Sequence, residues 1–182
     1  LMIEAVRSIG IGLVKDKPVN LMLEIAPNMP KAFGDEFRLR QVMINLVSNA
    51  AKFTNEGEIV IRAYLWDDPA IEEKMARIDV VDTGIGIAEK DIPLLFEAFR
   101  QVDSSLTRTA GGTGLGLPIA KSLVEIQGGE MMVTSEVNVG STFSLTIPLE
   151  PTVDLDQDDD DTMIVAGNEA VDDTKPTIEV KK

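Results

Sequence analysis

Between positions 35 and 53, apolar residues recur at three- and four-residue spacing, the period of an amphipathic helix that turns one stripe inward. The stripe consists of Leu39, Val42, Met43, Leu46, Val47 and Ala50. Asp35 directly follows Gly34 and can cap the first turn. The pattern therefore predicts one long helix over 35–53, packed on a core through this stripe.

Alternating apolar and polar positions elsewhere predict strands, and two pairs of these are separated by hairpin loops or turns. The predicted strands are 19–26, 58–66, 75–81, 130–137 and 141–148, with a loop over 66–74 and a turn over 138–140. Helical spacing also covers 1–15, 89–99 and 113–127. Pro93 is compatible with the second of these only in its first turn, and Gly128 and Gly129 end the third. This mixture predicts an α+β fold, a two-layer α/β sandwich with helices on one face of a mixed sheet.

Composition limits the possible chemistry. The chain has 182 residues and 44% hydrophobic content, enough for one ordinary domain with a real core. It contains no Cys and no His, which excludes disulfides, thiolate metal sites and an imidazole base within it. No apolar run reaches the roughly 18 to 20 residues of a membrane span, and the first residues do not have a signal-peptide layout. We expect a fragment of a longer protein, without membrane contact of its own.

Charge is concentrated at the C-terminus. Residues 150–182 contain eleven Asp or Glu and three Lys, a balance of −8 out of a net −14. The segment lacks aromatic residues and sustained periodicity, so we expect a flexible linker over 150–182. The open alternative is an acidic arm that occupies a basic cleft. Lys and Arg are scattered and outnumbered, which argues against nucleic-acid binding.

One side of the long helix carries polar chemistry. Asn45, Asn49, Lys52 and Phe53 follow one another at intervals of four, three and one, so that two amides, an ammonium group and an aromatic ring project from a shared strip. Asn is a poor helix former, so two in mid-helix require a reason. Either the strip is a polar seam that caps a neighbouring loop, or it binds a ligand.

Two glycine motifs follow. Residues 82–87, DTGIGI, come directly off an apolar strand, where Asp82 can accept hydrogen bonds from an exocyclic amine and glycines permit close approach of a ligand. The alternative is a glycine turn in which Asp82 caps the next helix. Residues 111–117, GGTGLGL, precede a helix, where backbone N–H groups form an anion site. The glycines at 112, 114 and 116 follow a loop and do not have the spacing of the Rossmann fingerprint. The Walker loop is excluded because Ala120, and not Gly, precedes Lys121.

Taken together, five motifs over 19–149 resemble the catalytic and ATP-binding domain of sensor histidine kinases, a family related to gyrase and heat-shock chaperones. They are the strip from Asn45 to Phe53, the DTGIGI sequence, residues 95–99 (LFEAF), the GGTGLGL sequence and residues 140–143 (GSTF). In this order the first four look like the N box, first glycine box, F box and second glycine box, and GSTF follows them. The resemblance implies the Bergerat ATP-binding fold, a cytoplasmic location, and 1–18 as the end of a helix from an upstream dimerisation domain.

The resemblance also implies roles for individual residues. It implies that Asn49 coordinates Mg²⁺, that Asn45 supports nucleotide and metal, that Lys52 neutralises phosphate charge, and that Phe53 lies against adenine. Amide oxygens suit a hard cation that keeps several waters.

For the base and the phosphates, the resemblance assigns two further groups. Asp82 would accept from the adenine amine beside Gly84, Gly86 and Ile87, with Thr142 near the base. Residues 100–112 would form the ATP lid, anchored by Phe96 and Phe99, with Arg108 as a phosphate contact and Gly112, Thr113, Gly114, Leu115 and Gly116 supplying backbone donors.

Asn45 distinguishes transfer from hydrolysis. Family members that hydrolyse ATP place at this position a Glu that activates water, and Asn cannot accept a proton. The resemblance therefore implies phosphoryl transfer to a His on a dimerisation domain, and then to a response regulator receiver domain. Two alternatives remain: a nucleotide-binding regulatory module without transfer activity, and a docking domain that binds a partner helix through Phe96 and Phe99.

Overall fold

The computed structural model describes residues 2–67, 73–99 and 114–150. Five strands form one sheet in the order β1-β2-β3-β5-β4. The strands are β1 (Val19–Ile25), β2 (Gly57–Asp67), β3 (Lys74–Asp82), β4 (Met131–Glu136) and β5 (Gly140–Pro148). β1 is parallel to β2 and the other three pairings are antiparallel, so the sheet is mixed, as predicted.

Three α-helices lie on one face of this sheet, and their bounds are α1 (Met2–Val14), α2 (Glu36–Phe53) and α3 (Gly116–Glu125). The predicted apolar stripe of α2 is buried in full, and Ala51 joins it. It packs on alternate residues of the strands, among them Ile59, Ile61, Leu145 and Ile147. The two-layer α+β architecture predicted from the pattern is confirmed.

Asp35 caps α2 as predicted, because its carboxylate accepts the Arg38 N–H at 3.1 Å. The same hydrogen bond lowers the pKa of Asp35.

Two helix predictions need correction. Residues 89–99 do not form an α-helix; a 3-10 helix covers Glu89–Phe96. Pro93 is its fifth residue and cannot donate the bond that an α-helix would direct to the Glu89 carbonyl. The last helix begins at Gly116 and not at Thr113, since Gly114 has a φ of 69°, outside the right-handed helical region.

The closing hairpin forms as predicted, but β4 is one residue shorter at each end than the predicted strand 130–137, and Gly140 begins β5 and is not part of the turn. Among the described residues, every helix is too short or too polar to cross a bilayer. The predicted lid over 100–112 and almost all of the predicted linker over 150–182 lie outside the described residues.

Candidate functional site

The C-terminal half of α2 presents the predicted polar strip on a partly buried surface. Asn45, Asn49, Lys52 and Phe53 all have intermediate exposure. The Lys52 ammonium nitrogen lies 5.0 Å from the centre of the Phe53 ring. The strip is thus only partly covered, while the opposite face of the helix is in the core.

Asn45 lies against the beginning of α3. A Cβ atom on Gly116 would collide with Asn45 Oδ1, so a larger residue there would displace the Asn45 side chain from this position. Asn45 Nδ2 is buried and has no hydrogen-bond partner among the described residues. A buried donor without an acceptor costs about 1 to 3 kcal/mol. This orphaned amide is what a site completed by an anionic or polar ligand would contain.

The first turn of α3 provides backbone donors next to that amide. Leu115, the N-cap residue, has no polar side chain to accept from the first-turn N–H groups. The helix dipole adds partial positive charge at the same end. Gly114 accepts the Phe99 N–H at 3.2 Å, which connects this turn to the end of the F-box segment. Of the predicted donors, Gly116 lies against Asn45 of the amide strip, and Gly114 and Leu115 directly precede it in the chain.

Asp82 is the buried carboxylate of the site. It is 6% exposed at the end of β3 and accepts the Gly84 N–H at 2.8 Å. Desolvation by burial raises the pKa of Asp82, and hydrogen bonds from the Gly84 and Ser141 backbone N–H groups oppose this increase. A carboxylate has about four acceptor positions. The two N–H groups leave capacity for a ligand amine.

The glycine loop after Asp82 is held between α2 and the β4–β5 hairpin. The Ile85 N–H donates to the Phe53 carbonyl at 3.3 Å, and the Asn138 N–H donates to the Ile85 carbonyl at 2.8 Å. A Cβ on Gly84 would lie 2.6 Å from the Phe53 carbonyl oxygen. Gly86 has a φ of 67°, and a Cβ there would collide with the Glu136 carbonyl. Both glycines are therefore required by the packing, and the loop joins Phe53 to Asp82.

The structure does not bring the Thr142 side chain to Asp82. Asp82 pairs with Ser141 across β3 and β5, and Thr142 pairs with Val81. Because side chains alternate between faces along a strand, Ser141 shares the face of Asp82, and Thr142 projects from the opposite face, on which none of the described helices packs. Ser141, which is 7% exposed, is the residue that the sequence reasoning missed.

Two further residues were missed because their partners are far away in sequence. Lys17 donates to the carbonyls of Ala51 at 2.6 Å and Thr54 at 3.0 Å, at the C-terminus of α2. The Ser135 hydroxyl accepts the Ile87 N–H at 2.8 Å. Periodicity contains no signal for either contact.

The aromatic residues of the F-box segment have different environments. Phe96 packs against the core, and the Lys121 ammonium nitrogen lies 4.9 Å from its ring centre. Phe99 is 78% exposed and has a φ of 64°. The predicted contacts Arg108, Gly112 and Thr113 lie outside the described residues.

The oxygen atoms that the described residues offer suit a metal ion that is held mainly by the phosphates of a bound molecule. No group of three or more acidic residues that could hold a metal ion occurs in the described ranges. Asn45 and Asn49 offer amide oxygens, and Mg²⁺ typically keeps several waters and binds through one or two protein groups and phosphates. These residues therefore fit Mg²⁺ that arrives with a nucleotide.

Comparison with known families agrees with this geometry. Residues 34–151 match the family described as histidine kinase-, DNA gyrase B-, and HSP90-like ATPase. The chain is 49% identical over 134 residues to the sensor protein GacS of Pseudomonas syringae pv. syringae, which covers 73% of this chain and 15% of that protein. It is 44% identical over 136 residues to hybrid signal transduction histidine kinase B of Dictyostelium discoideum, covering 74% of this chain and 7% of that protein. The chain thus spans a small part of these relatives.

Solved structures of similar fold include two histidine kinases. Full-length ShkA in complex with AMPPNP superposes with a TM-score of 0.71 and 30% identity, over 83% of this chain and 30% of that chain. The nucleotide-free catalytic domain of histidine kinase ThkA superposes with a TM-score of 0.66 and 26% identity, over 82% of this chain and 93% of that chain.

Proposed function

The chain belongs to the histidine kinase-, DNA gyrase B-, and HSP90-like ATPase family and has the fold of a histidine kinase catalytic domain, and from this premise we propose that it binds Mg-ATP and transfers the γ-phosphoryl group to a His on a separate dimerisation domain. The observation that carries the proposal is Asp82, a buried carboxylate that retains acceptor capacity beside a glycine loop. A buried carboxylate is costly to ionise unless it is paired. The adenine amine would supply the missing donor.

Residues of this chain would bind the two ends of the nucleotide. Asp82 accepts from the adenine amine, and Phe53 packs on the base, with the Lys52 ammonium close to its ring. Gly84 and Gly86 let the loop after Asp82 pack closely on the Phe53 and Glu136 carbonyls, which holds Asp82 and Phe53 near each other. Backbone N–H groups at the start of α3 and the orphaned Asn45 amide are placed for phosphate oxygens.

Mg²⁺, when bound, would supply charge neutralisation at the phosphates. Asn49, supported by Asn45, would hold it through the amide oxygen, and Lys52 would add positive charge. Arg108, Gly112 and Thr113 stay predicted phosphate contacts, because they lie outside the described residues.

Phosphoryl transfer is favoured over hydrolysis because Asn45 cannot act as a base. Catalysis of this kind depends mainly on positioning and on charge neutralisation. The acceptor must come from another segment, since the chain contains no His. We expect that acceptor on a dimerisation domain and the onward partner to be a response regulator receiver domain.

The experiment adds a separately expressed, His-containing dimerisation domain, Mg²⁺ and γ-labelled ATP. We expect acid-labile label on the acceptor, and none when Asp82→Asn replaces the wild-type chain at limiting ATP. Nucleotide binding without labelling would instead support a regulatory module. If the acceptor domain is not labelled but still binds this chain after the nucleotide is removed, the result would support an interaction domain that uses the exposed Phe99.

The metal assignment has its own test in Asn49→Ala. Mg²⁺ should tighten ATP binding to the wild-type chain and have no effect on this variant, because the amide ligand is gone. Calorimetric titrations with and without Mg²⁺ measure the difference. Ser48→Ala, one position earlier on the same helix, is the control. An unchanged Mg²⁺ response in Asn49→Ala would refute the assignment.

A further inference from the structure

The carbonyl groups at the end of α2 accept hydrogen bonds from outside the helix. The ammonium group of Lys17 donates to the Ala51 carbonyl at 2.6 Å and to the Thr54 carbonyl at 3.0 Å. The Ile85 N–H donates to the carbonyl of Phe53, which lies between these two residues in the chain. The last carbonyls of an α-helix have no partner within it, and a last turn without external donors frays. Lys17 therefore stabilises the helical form of this turn.

The backbone of Lys17 is itself held in place. Its N–H donates to the Val14 carbonyl at 2.9 Å, at the end of α1, and its carbonyl accepts the Val19 N–H at 2.8 Å, at the beginning of β1. The carbonyl of Pro18, the next residue, accepts the Gly57 N–H at 3.0 Å, at the beginning of β2. The backbone from which the ammonium group reaches α2 is thus fixed to one helix and two strands.

The turn that Lys17 contacts carries two residues of the candidate nucleotide site. Lys52 and Phe53 lie between the two carbonyls that accept from Lys17, and the Lys52 ammonium nitrogen is 5.0 Å from the centre of the Phe53 ring. If this turn unwinds, both side chains leave the strip that they share with Asn49, and the Ile85 N–H loses its acceptor. Nucleotide binding would then require the ordered turn, so the apparent Kd rises as the ordered fraction falls.

We propose that Lys17 is a positioning residue for nucleotide binding, which acts through the last turn of α2 and holds Lys52 and Phe53 in the arrangement that binds the nucleotide. The inference rests on the proposed function. It extends that function to a side chain outside the amide strip and both glycine motifs, whose two acceptors are backbone carbonyls of the protein. The effect is local, so Lys17 contributes to affinity even under conditions in which the whole domain is folded.

The test measures Kd for Mg-ATP by calorimetry at a temperature at which circular dichroism shows that each variant is folded. Lys17→Met removes both hydrogen bonds and should raise Kd roughly 3- to 10-fold, the effect of about one hydrogen bond. Lys17→Arg retains a charged group with several donors and should restore most of the wild-type affinity. Lys15→Met removes the same charge from an exposed position two residues earlier and should leave Kd unchanged.

Two further comparisons separate positioning from general stability and from net charge. Ile147→Val shortens a core side chain that is 1% exposed, so it should destabilise the fold to an extent comparable to Lys17→Met without changing Kd. The factor between Lys17→Met and the wild-type chain should be the same at low and high salt, whereas an effect of net charge would shrink at high salt.

Lys17→Gln decides the matter if Lys17→Met does not fold. Its side chain is shorter and uncharged but polar, so it should weaken both hydrogen bonds and raise Kd in the same direction. A wild-type Kd in the folded Lys17 variants, or an equal increase of Kd in Ile147→Val, would overturn the positioning role alone. If the wild-type chain does not bind Mg-ATP, the proposed function fails as well.

Discussion

At the scale of single residues, Asp82 shows how a proposed binding group can be costly to the free protein. Burial at the end of β3 disfavours its charged form, and two backbone N–H groups offset only part of this cost. The proposed partner, an adenine amine, would complete this set of hydrogen bonds and favour the ionised form. A similar situation holds for the Asn45 amide, whose buried nitrogen has no acceptor among the described residues.

Asp82→Asn should weaken ATP binding by about 10- to 100-fold, since a hydrogen bond to a charged acceptor contributes roughly 1.5 to 3 kcal/mol. The Asn side chain also presents an N–H₂ group, which can oppose the adenine amine. Calorimetric titration measures the effect. Asp79→Asn, which removes a carboxylate from the same strand on the other face, is the control for general effects on the sheet. Unchanged affinity in Asp82→Asn would remove this residue from the site.

The pH dependence of binding should reflect the raised pKa of Asp82. Because this pKa lies above the ordinary value of 3.8, the folded protein binds the proton more tightly than the unfolded chain. Ionisation of Asp82 therefore lowers the free energy of unfolding at pH values above the pKa of the folded state, and this loss disappears as the pH falls. ATP affinity changes in the opposite direction, since binding uses the ionised form.

On acidification, ATP affinity should start to fall at a higher pH than an exposed Asp would allow. Titrations between about pH 8 and about pH 5 measure it. Asp82→Asn is the reference, because protonation of the nucleotide itself affects both proteins. Parallel pH curves for the two would contradict the assignment.

At the scale of elements, α2 connects the core to the site because both its ends are fixed. At the N-terminus the Asp35 carboxylate accepts an N–H of the first turn, and at the C-terminus the Lys17 ammonium group donates to two carbonyls. Between those two carbonyls, the Phe53 carbonyl accepts the Ile85 N–H of the glycine loop. The connection from α1 to β1 therefore holds the end of the helix against which the base would pack.

Lys17→Met should destabilise the fold by about 1 to 2 kcal/mol, because it removes the charged donor from the negative end of the helix dipole and keeps most of the apolar stem. Urea unfolding measures the change as a shift of the midpoint at constant slope. Lys15→Met, at an exposed position two residues earlier, is the matched control and should have little effect. Equal midpoints for the two variants would show that the cap does not contribute.

At the scale of the whole molecule, the two faces of the sheet are closed in different ways. One is covered by helices. On the other face, which carries no helix in the part of the chain that the structure describes, the side chains of the strands form a network centred on Arg77. Arg77 pairs with the Asp79 carboxylate at 2.9 Å, donates to Ser144 Oγ at 2.9 Å and lies 4.4 Å from the Trp66 ring centre. Tyr64 also donates to Asp79, at 2.8 Å. This network satisfies a buried carboxylate on that face.

Arg77→Met should cost roughly 2 to 4 kcal/mol, since it leaves the buried Asp79 without its cation. Trp66, the single Trp of the chain, reports on the sheet by fluorescence, and circular dichroism reports on the helices. Both signals should shift together if the unit unfolds cooperatively. Arg62→Met breaks an exposed pair with Glu24, so it should cost only about 0 to 1 kcal/mol. Similar losses in the two variants would contradict the importance of the Arg77 network.

The residues that the sequence alone identified are those whose signal is local. The inward stripe of α2, the Asp35 cap and the strands 58–66 and 75–81 follow from periodicity and residue type over a few turns. The order of the motifs was enough to recognise the family resemblance. Asn45, which cannot act as a base, was enough to predict phosphoryl transfer rather than hydrolysis. The α-helix predicted over 89–99 was wrong because Pro93, the fifth residue from Glu89, cannot donate the hydrogen bond that an α-helix requires there, and a 3-10 helix forms instead.

The contacts that only the tertiary structure decided join residues far apart in the chain. Lys17 at the end of α2, and Ser135 and Ser141 beside the glycine loop, have no periodic signature. Ser141, and not the predicted Thr142, lies on the face of Asp82 because the pairing of β5 with β3 sets the register. A shift of one residue along a strand would present the opposite face. Local physics therefore determined which elements form and which motifs they carry, whereas strand order and register decided which side chains meet at Asp82.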